Sequence, residues 1–177
     1  MKSLNKSPNA LYEELMRKSL ALLAKRSYTV LKIKRKLREH NERLIKRGVL
    51  EPITEEFLES KVTEVVNRLK DLKYLNDTEF SKTFIENRIE FRPRGKYLIK
   101  KELKQKGIHP DLAERITDEV YQDEKEAAGR AFQSKLKKIQ SYPKLKQKEK
   151  AMRYLASRGF SFDTIYKTIN PWYNGVE

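Results

Sequence analysis

The 177-residue chain offers little that could make or break a covalent bond. It has no cysteine, so a thiol nucleophile, a disulfide scaffold and a thiolate zinc site are all excluded. Its two histidines, His40 and His109, lie far apart in the sequence. Neither joins a recognisable catalytic or metal-ligating set, and His109, just before Pro110, reads as a turn or cap residue. The acidic run Asp118, Glu119, Asp123, Glu124 and Glu126 has the composition of a metal site. A solvated helix junction with capping charges accounts for it more simply. No Gly-rich phosphate loop, H-E-x-x-H or G-x-S-x-G occurs. No catalytic, cofactor-binding or metal residue is assigned, and an enzyme is the least favoured class.

Positive charge is what the sequence carries in quantity. Lysine and arginine number 40 against 25 acidic residues, a net +15, and such a surface attracts polyanions. The candidate contacts fall in three blocks. Lys25, Arg26, Lys34, Arg35 and Arg38 form the first. Arg88, Arg92, Arg94, Lys96, Lys100, Lys101 and Lys104 form the second, and Lys150, Arg153 and Arg158, beside a run of further lysines from Lys135 to Lys148, form the third. Neutralising phosphates releases counterions and needs no base recognition, so cations spread along one face would suffice. The plainer alternative is a solvated helical surface. Tyr28, Tyr97 and Tyr154 lie near these cations, and their helical spacing suits core positions better than base-stacking platforms.

The elements that hold these residues are legible as helices. Ser7-Pro8 reads as a cap followed by proline at the first helical position. Apolar stripes and caps then predict helices beginning near Thr29, Thr54, Asn76, Gly95, Pro110, Asp123, Pro143 and Ser161, with Asp123 and Glu126 as a capping box and Pro171 as the last stop. Nine short helices emerge and no convincing strand. A pattern recurs three times: Leu44-x-x-Arg47-Gly48, Leu103-x-x-Lys106-Gly107 and Leu155-x-x-Arg158-Gly159. In each, leucine is the last core residue, the cation complements the helix C-terminus and glycine takes positive φ. This recurrence at the second helix of each triplet predicts a threefold repeat.

Charge follows the same rhythm. The net values are +10 for residues 1–49, −4 for 50–79, +6 for 80–109, −5 for 110–127, +9 for 128–160 and −1 for 161–177. The first two helices of each triplet are basic and the third is acidic or nearly neutral, and we expect the acidic helices to face away from the basic side. Hydrophobic residues make up only 38% of the chain and charged residues 37%, which suits several small cores better than one thick core. No apolar run is long enough to cross a bilayer, and Met1 to Asn9 lacks a signal-peptide stretch, so a cytoplasmic protein with no membrane partner is expected.

Four blocks resemble the RecX regulatory proteins. They are Leu22-Leu23-Ala24-Lys25-Arg26-Ser27, the run from Leu69 to Ser81 around Tyr74-Leu75-Asn76-Asp77, Arg94-Gly95 followed by Ile99, Glu102-Leu103 and Lys106-Gly107-Ile108, and the run from Lys150 to Ser161. The sequence departs from that pattern with Lys73 at a usual glycine, Asn76 for an aspartate and Ser81 for an alanine. The resemblance implies an all-α fold of three tandem three-helix repeats forming an elongated, curved array. The divisions are residues 1–9 as an N-terminal extension, 10–76, 77–122 and 123–177 with a C-terminal tail. It implies a cytoplasmic bacterial modulator, mostly an inhibitor, of the RecA recombinase, binding in the groove of the RecA–DNA filament with no cofactor. The expected partners are that filament and the phosphate backbone of single- or double-stranded DNA, with the chain a monomer. The residues alone leave two other readings open: a sequence-nonspecific nucleic-acid-binding module, and a helical adaptor for an acidic protein.

Overall fold

A computed structural model describes residues 8–173. Among them the chain forms nine α-helices and no strand: α1 (Pro8–Leu23), α2 (Val30–Lys46), α3 (Glu55–Asp71), α4 (Asp77–Glu90), α5 (Lys96–Gln105), α6 (Pro110–Val120), α7 (Lys125–Ile139), α8 (Lys144–Ser157) and α9 (Phe162–Tyr173). The expected Ser7 cap lies outside the described residues. Thr29 and Thr54 cap α2 and α3, each accepting a backbone N–H three residues on, and Ser161 does the same for Thr164 at the start of α9. Asn76 accepts the Thr78 and Glu79 N–H groups at the start of α4. Gly48, Gly107 and Gly159 all have positive φ, at 67°, 87° and 82°, where the repeated pattern places them.

Two expectations at helix ends are corrected. Asp123 accepts the Lys125 N–H, but Glu126 does not complete a capping box, because its carboxylate pairs with Arg130 one turn on. Pro171 does not stop α9, which runs on to Tyr173. Trp172 and Tyr173 set their rings edge-on to buried Phe132, with centroids 5.8 and 6.4 Å away, and this packing opposes the usual break at proline. The aromatic end thus covers part of the α7–α9 core.

Tertiary contacts divide the chain into two units, one ending at Phe80 and the other beginning at Ser81. In the first, α1, α2 and α3 pack on one another around Leu15, Ile33, Leu37, Val62, Val65, Val66 and Leu69, with Leu11, Leu50 and Leu75 at the margins. In the second, α5 packs on α6, and α7, α8 and α9 pack mutually. Ile85, Ile99, Leu103 and Ile116 are buried in the α4–α6 part, and Phe132, Leu155, Ile165 and Ile169 in the α7–α9 part. Burying a leucine or isoleucine contributes about 1.5–3 kcal/mol, so each group of three helices rests on a handful of such residues. No described helix is long and apolar enough to cross a membrane.

Within each unit a carboxylate links helix starts. Asp77, at the beginning of α4, accepts the Val30 N–H at the beginning of α2 at 2.9 Å. Burial pushes the Asp77 carboxyl up, and the Val30 N–H and Lys70 only partly counter this. Glu124, just before α7, accepts the Lys96 N–H at the beginning of α5 at 2.5 Å, and also the Ser161 N–H and Thr164 Oγ1–H. In both cases the acid that opens one group of three caps the second helix of the group before it.

Candidate nucleic-acid interface

The cations of the middle block are turned to the chain's own carboxylates. Lys96, Lys100 and Lys104 lie on one stripe of α5, one turn apart. Lys100 Nζ donates to Glu114 at 2.8 Å and to Asp118 at 2.9 Å, while Lys96 reaches Asp118 at 3.5 Å and Lys104 reaches Glu114 at 3.7 Å. Burial pulls the Lys100 ammonium down, but the two carboxylates more than offset this and hold it above its ordinary value. Hydrogen bonding to Lys100 lowers both Glu114 and Asp118. Arg88 and Arg94 converge on Glu102, at 2.7 and 2.5 Å. The expectation that acidic third helices face away from the basic side is therefore wrong for α6, whose carboxylates cover the cations of α5. Arg92 and Lys101 are exposed and make no ion pair among the described residues.

The first block is mixed. Arg38 makes a two-pronged bond to Glu59 of α3, which lowers the Glu59 carboxyl. Arg35 pairs with Glu39 at 3.4 Å and Arg26 lies over the Tyr28 ring. Lys25 is exposed and Lys34 half-buried, neither in an ion pair among the described residues. In the third block, Arg153 pairs with Glu149, Arg158 lies over Tyr154, and Lys150 lies over Tyr142 at 4.4 Å.

An open positive surface lies at the hairpin of α7 and α8, in the run of lysines from Lys135 to Lys148 that the sequence sets beside the third block. Lys137, Lys138, Lys144, Lys146 and Lys148 make no ion pair among the described residues, and of these Lys148 is half-buried and the others exposed. Lys135 lies over Tyr154 and Lys146 over Tyr142. The turn itself is pinned, because the Gln147 side chain donates to the Gln140 and Tyr142 carbonyls at 3.1 and 2.7 Å. The signal was present in the sequence. Between Lys135 and Lys148 there is no acidic residue at all, whereas Lys96, Lys100 and Lys104 of α5 have Glu114 and Asp118 on the next helix to meet.

The acidic run does not converge. Asp118 serves α5, Glu119 pairs with Lys82, Glu126 with Arg130, and Asp123 and Glu124 cap helices. No group of three or more metal-ligating side chains gathers among the described residues. His40 pairs with Glu14 at 2.7 Å, nearly buried between α1 and α2, and His109 occupies the cap position before α6.

Sequence comparison bears on what this surface belongs to. Residues 76–115 match the family model of the second three-helix domain of RecX and residues 122–169 that of the third. The Regulatory protein RecX of Prosthecochloris aestuarii is 32% identical over 139 residues, which cover 76% of this chain and 85% of that protein. The chain belongs to the RecX family. It is also 30% identical over 117 residues to the Regulatory protein RecX of Bacillus pumilus, where the match spans 44% of the relative's length. Among solved structures, RecX from Lactobacillus salivarius superposes with a TM-score of 0.72 at 20% identity, over 94% of this chain and 98% of that one. The RecX family is one of regulatory proteins, and its all-helical repeat fold is the one described above.

Proposed function

We propose that the chain binds the RecA–DNA filament from its groove and lowers recombinase and ATPase activity, with the α7–α8 hairpin as its main contact with phosphate. The relatives' name, Regulatory protein RecX, supports a role on RecA. The carrying observation is the lysine hairpin with no internal carboxylates, against the α5 row whose lysines are already occupied. A cation already held by a carboxylate must give up that partner before it meets phosphate, so the unpaired lysines dominate the polyanion contact. Lys25, Lys34, Arg92 and Lys101 add weaker contacts, and several such contacts on one chain give avidity without one strong site. Coupling to ATP hydrolysis is then indirect, through a filament state less competent for turnover. The chemistry asks no bond-making of the protein itself, which acts as a cytoplasmic, monomeric binder and not as an enzyme.

Charge reversal tests this. Lys137, Lys138, Lys144 and Lys148 changed together to Glu should abolish inhibition of RecA ATPase on single-stranded DNA, with the helical content unchanged. The slope of log affinity for DNA against log salt should flatten by about 3 for four lost phosphate contacts. Inhibition that survives the reversal removes the hairpin from the reading. Binding to bare DNA equal to binding to the filament at the same salt favours a nonspecific nucleic-acid module instead.

A further inference from the structure

Many surface rings of this chain are covered by its own cations. Arg26 lies over Tyr28, Lys61 over Phe57, Arg88 and Lys106 over Phe84, and Lys146 and Lys150 over Tyr142. Tyr97 and Phe162 are different. They are 71% and 72% exposed. No cation lies over either among the described residues, which is also true of Phe91 and Tyr74, but Tyr97 and Phe162 line one cleft together. That cleft, about 590 Å³, lies in the second unit where the first turn of α5, the α6–α7 link and the first turn of α9 meet.

The same cleft is walled by two carboxylates, Asp123 and Glu124, that form no ion pair among the described residues. Asp118, Glu119, Glu126 and Asp163 nearby are each paired with a lysine or arginine, whereas Asp123 and Glu124 make no ion pair among the described residues, and Lys167, whose charge Asp123 feels, is bonded to Asp163. Glu124 is buried and spends its oxygens on the starts of α5 and α9, so the N-terminal ends of those helices are already answered. Exposed Asp123 accepts one hydrogen bond among the described residues, from the Lys125 N–H, leaving most of its acceptor capacity open. Lys96 at the rim is turned toward Asp118. The walls are fixed by a close backbone approach: the Gly95 N–H donates to the Arg158 carbonyl at 2.9 Å, and a Cβ on Gly95 would stand 2.0 Å from the Gly159 oxygen.

We propose that this cleft binds an arginine side chain of a partner polypeptide. A guanidinium is flat, remains charged, and can lie against both rings while its N–H groups pair with the Asp123 carboxylate. A phosphate would meet two carboxylates here, so the cleft is not part of the polyanion surface. The inference does not depend on the function proposed above, and either can fail without the other.

The test is a titration of the 15N-labelled 177-residue chain with N-acetyl-arginine amide, followed by amide chemical shifts at constant ionic strength. Saturable shifts at Tyr97, Asp123, Ser161 and Phe162 are expected, with a dissociation constant of about 10 mM or tighter for so small a probe. The uncharged isostere N-acetyl-citrulline amide should bind at least fivefold more weakly. Asp123→Asn, which keeps the acceptor for Lys125, and Tyr97→Ala with Phe162→Ala should each weaken arginine binding at least threefold in a protein whose remaining spectrum is unchanged. Equal binding of citrulline, equal binding of N-acetyl-phenylalanine amide, or no saturable shift at these residues overturns the proposal.

Discussion

Replacing Lys73 by glycine should stabilise the first unit. Lys73 is the one described non-glycine residue with positive φ, at 60°, just past the C-cap of α3. Its N–H reaches the Lys70 carbonyl and the Tyr74 N–H reaches the Leu69 carbonyl, the same closure that Gly107 and Gly159 make at their own helix ends. An L-residue there bears about 1–2 kcal/mol of steric cost that glycine escapes. Glycine in turn loses about 0.5–1 kcal/mol more chain entropy on folding. The lysine side chain is exposed and makes no ion pair among the described residues, so little is lost with it. The net gain is about 0.5–1 kcal/mol, or about 2–8 °C in the transition of a unit of this size. Denaturant and thermal unfolding of Lys73→Gly beside the parent measure it, with Lys73→Ala as a control that keeps the strain and should gain nothing. A Lys73→Gly protein no more stable than the parent would refute the reasoning that the helix end is strained.

Three further outcomes follow from the packing. Gly95→Ala should destabilise the second unit by more than 3 kcal/mol, because the added methyl falls on the Gly159 carbonyl and the Phe160 nitrogen; denaturant midpoints measure this. Tyr121 is buried with its hydroxyl unpartnered among the described residues, and burial pushes its ionisation well above the ordinary tyrosine value, so Tyr121→Phe should gain about 1 kcal/mol in the same assay. Burial raises the Glu14 carboxyl, but Arg17 and His40 outweigh it and hold the group below its ordinary value. A depressed carboxyl contributes stability above its unfolded value and loses it as pH falls through the folded one. Stability measured from pH 6 down to about pH 3 should therefore fall less steeply in Glu14→Gln than in the parent, and parallel curves would count against the pairing.

Helix positions were readable because the cues are local. Threonine and serine caps, apolar stripes and glycines at positive φ act within a few residues, and Thr29, Thr54, Ser161, Gly48, Gly107 and Gly159 do what their neighbours in the sequence predict. Pro171 misled because its local effect is opposed by distant Phe132, and Glu126 because Arg130 competes for it one turn away. The cation blocks were readable as charge but not as surface. Lys100 and Lys137 look alike in a list of residues, and one is held by two carboxylates of α6 while the other meets none.

By itself, then, the sequence determined the all-helical repeat, the three glycine turns, the family and the net positive charge, since propensity, capping and composition travel with the chain. Only the tertiary structure decided which cations are available, by bringing Glu114 and Asp118 against α5 and no described carboxylate into ion-pair reach of Lys137, Lys138, Lys144, Lys146 or Lys148. It also decided that Tyr97 and Phe162, 65 residues apart by their numbering, share one cleft beside Asp123. The physical reason is range: a cap or a turn is settled over a few residues, while the partner of a charge or a ring is set by whichever helix packs beside it.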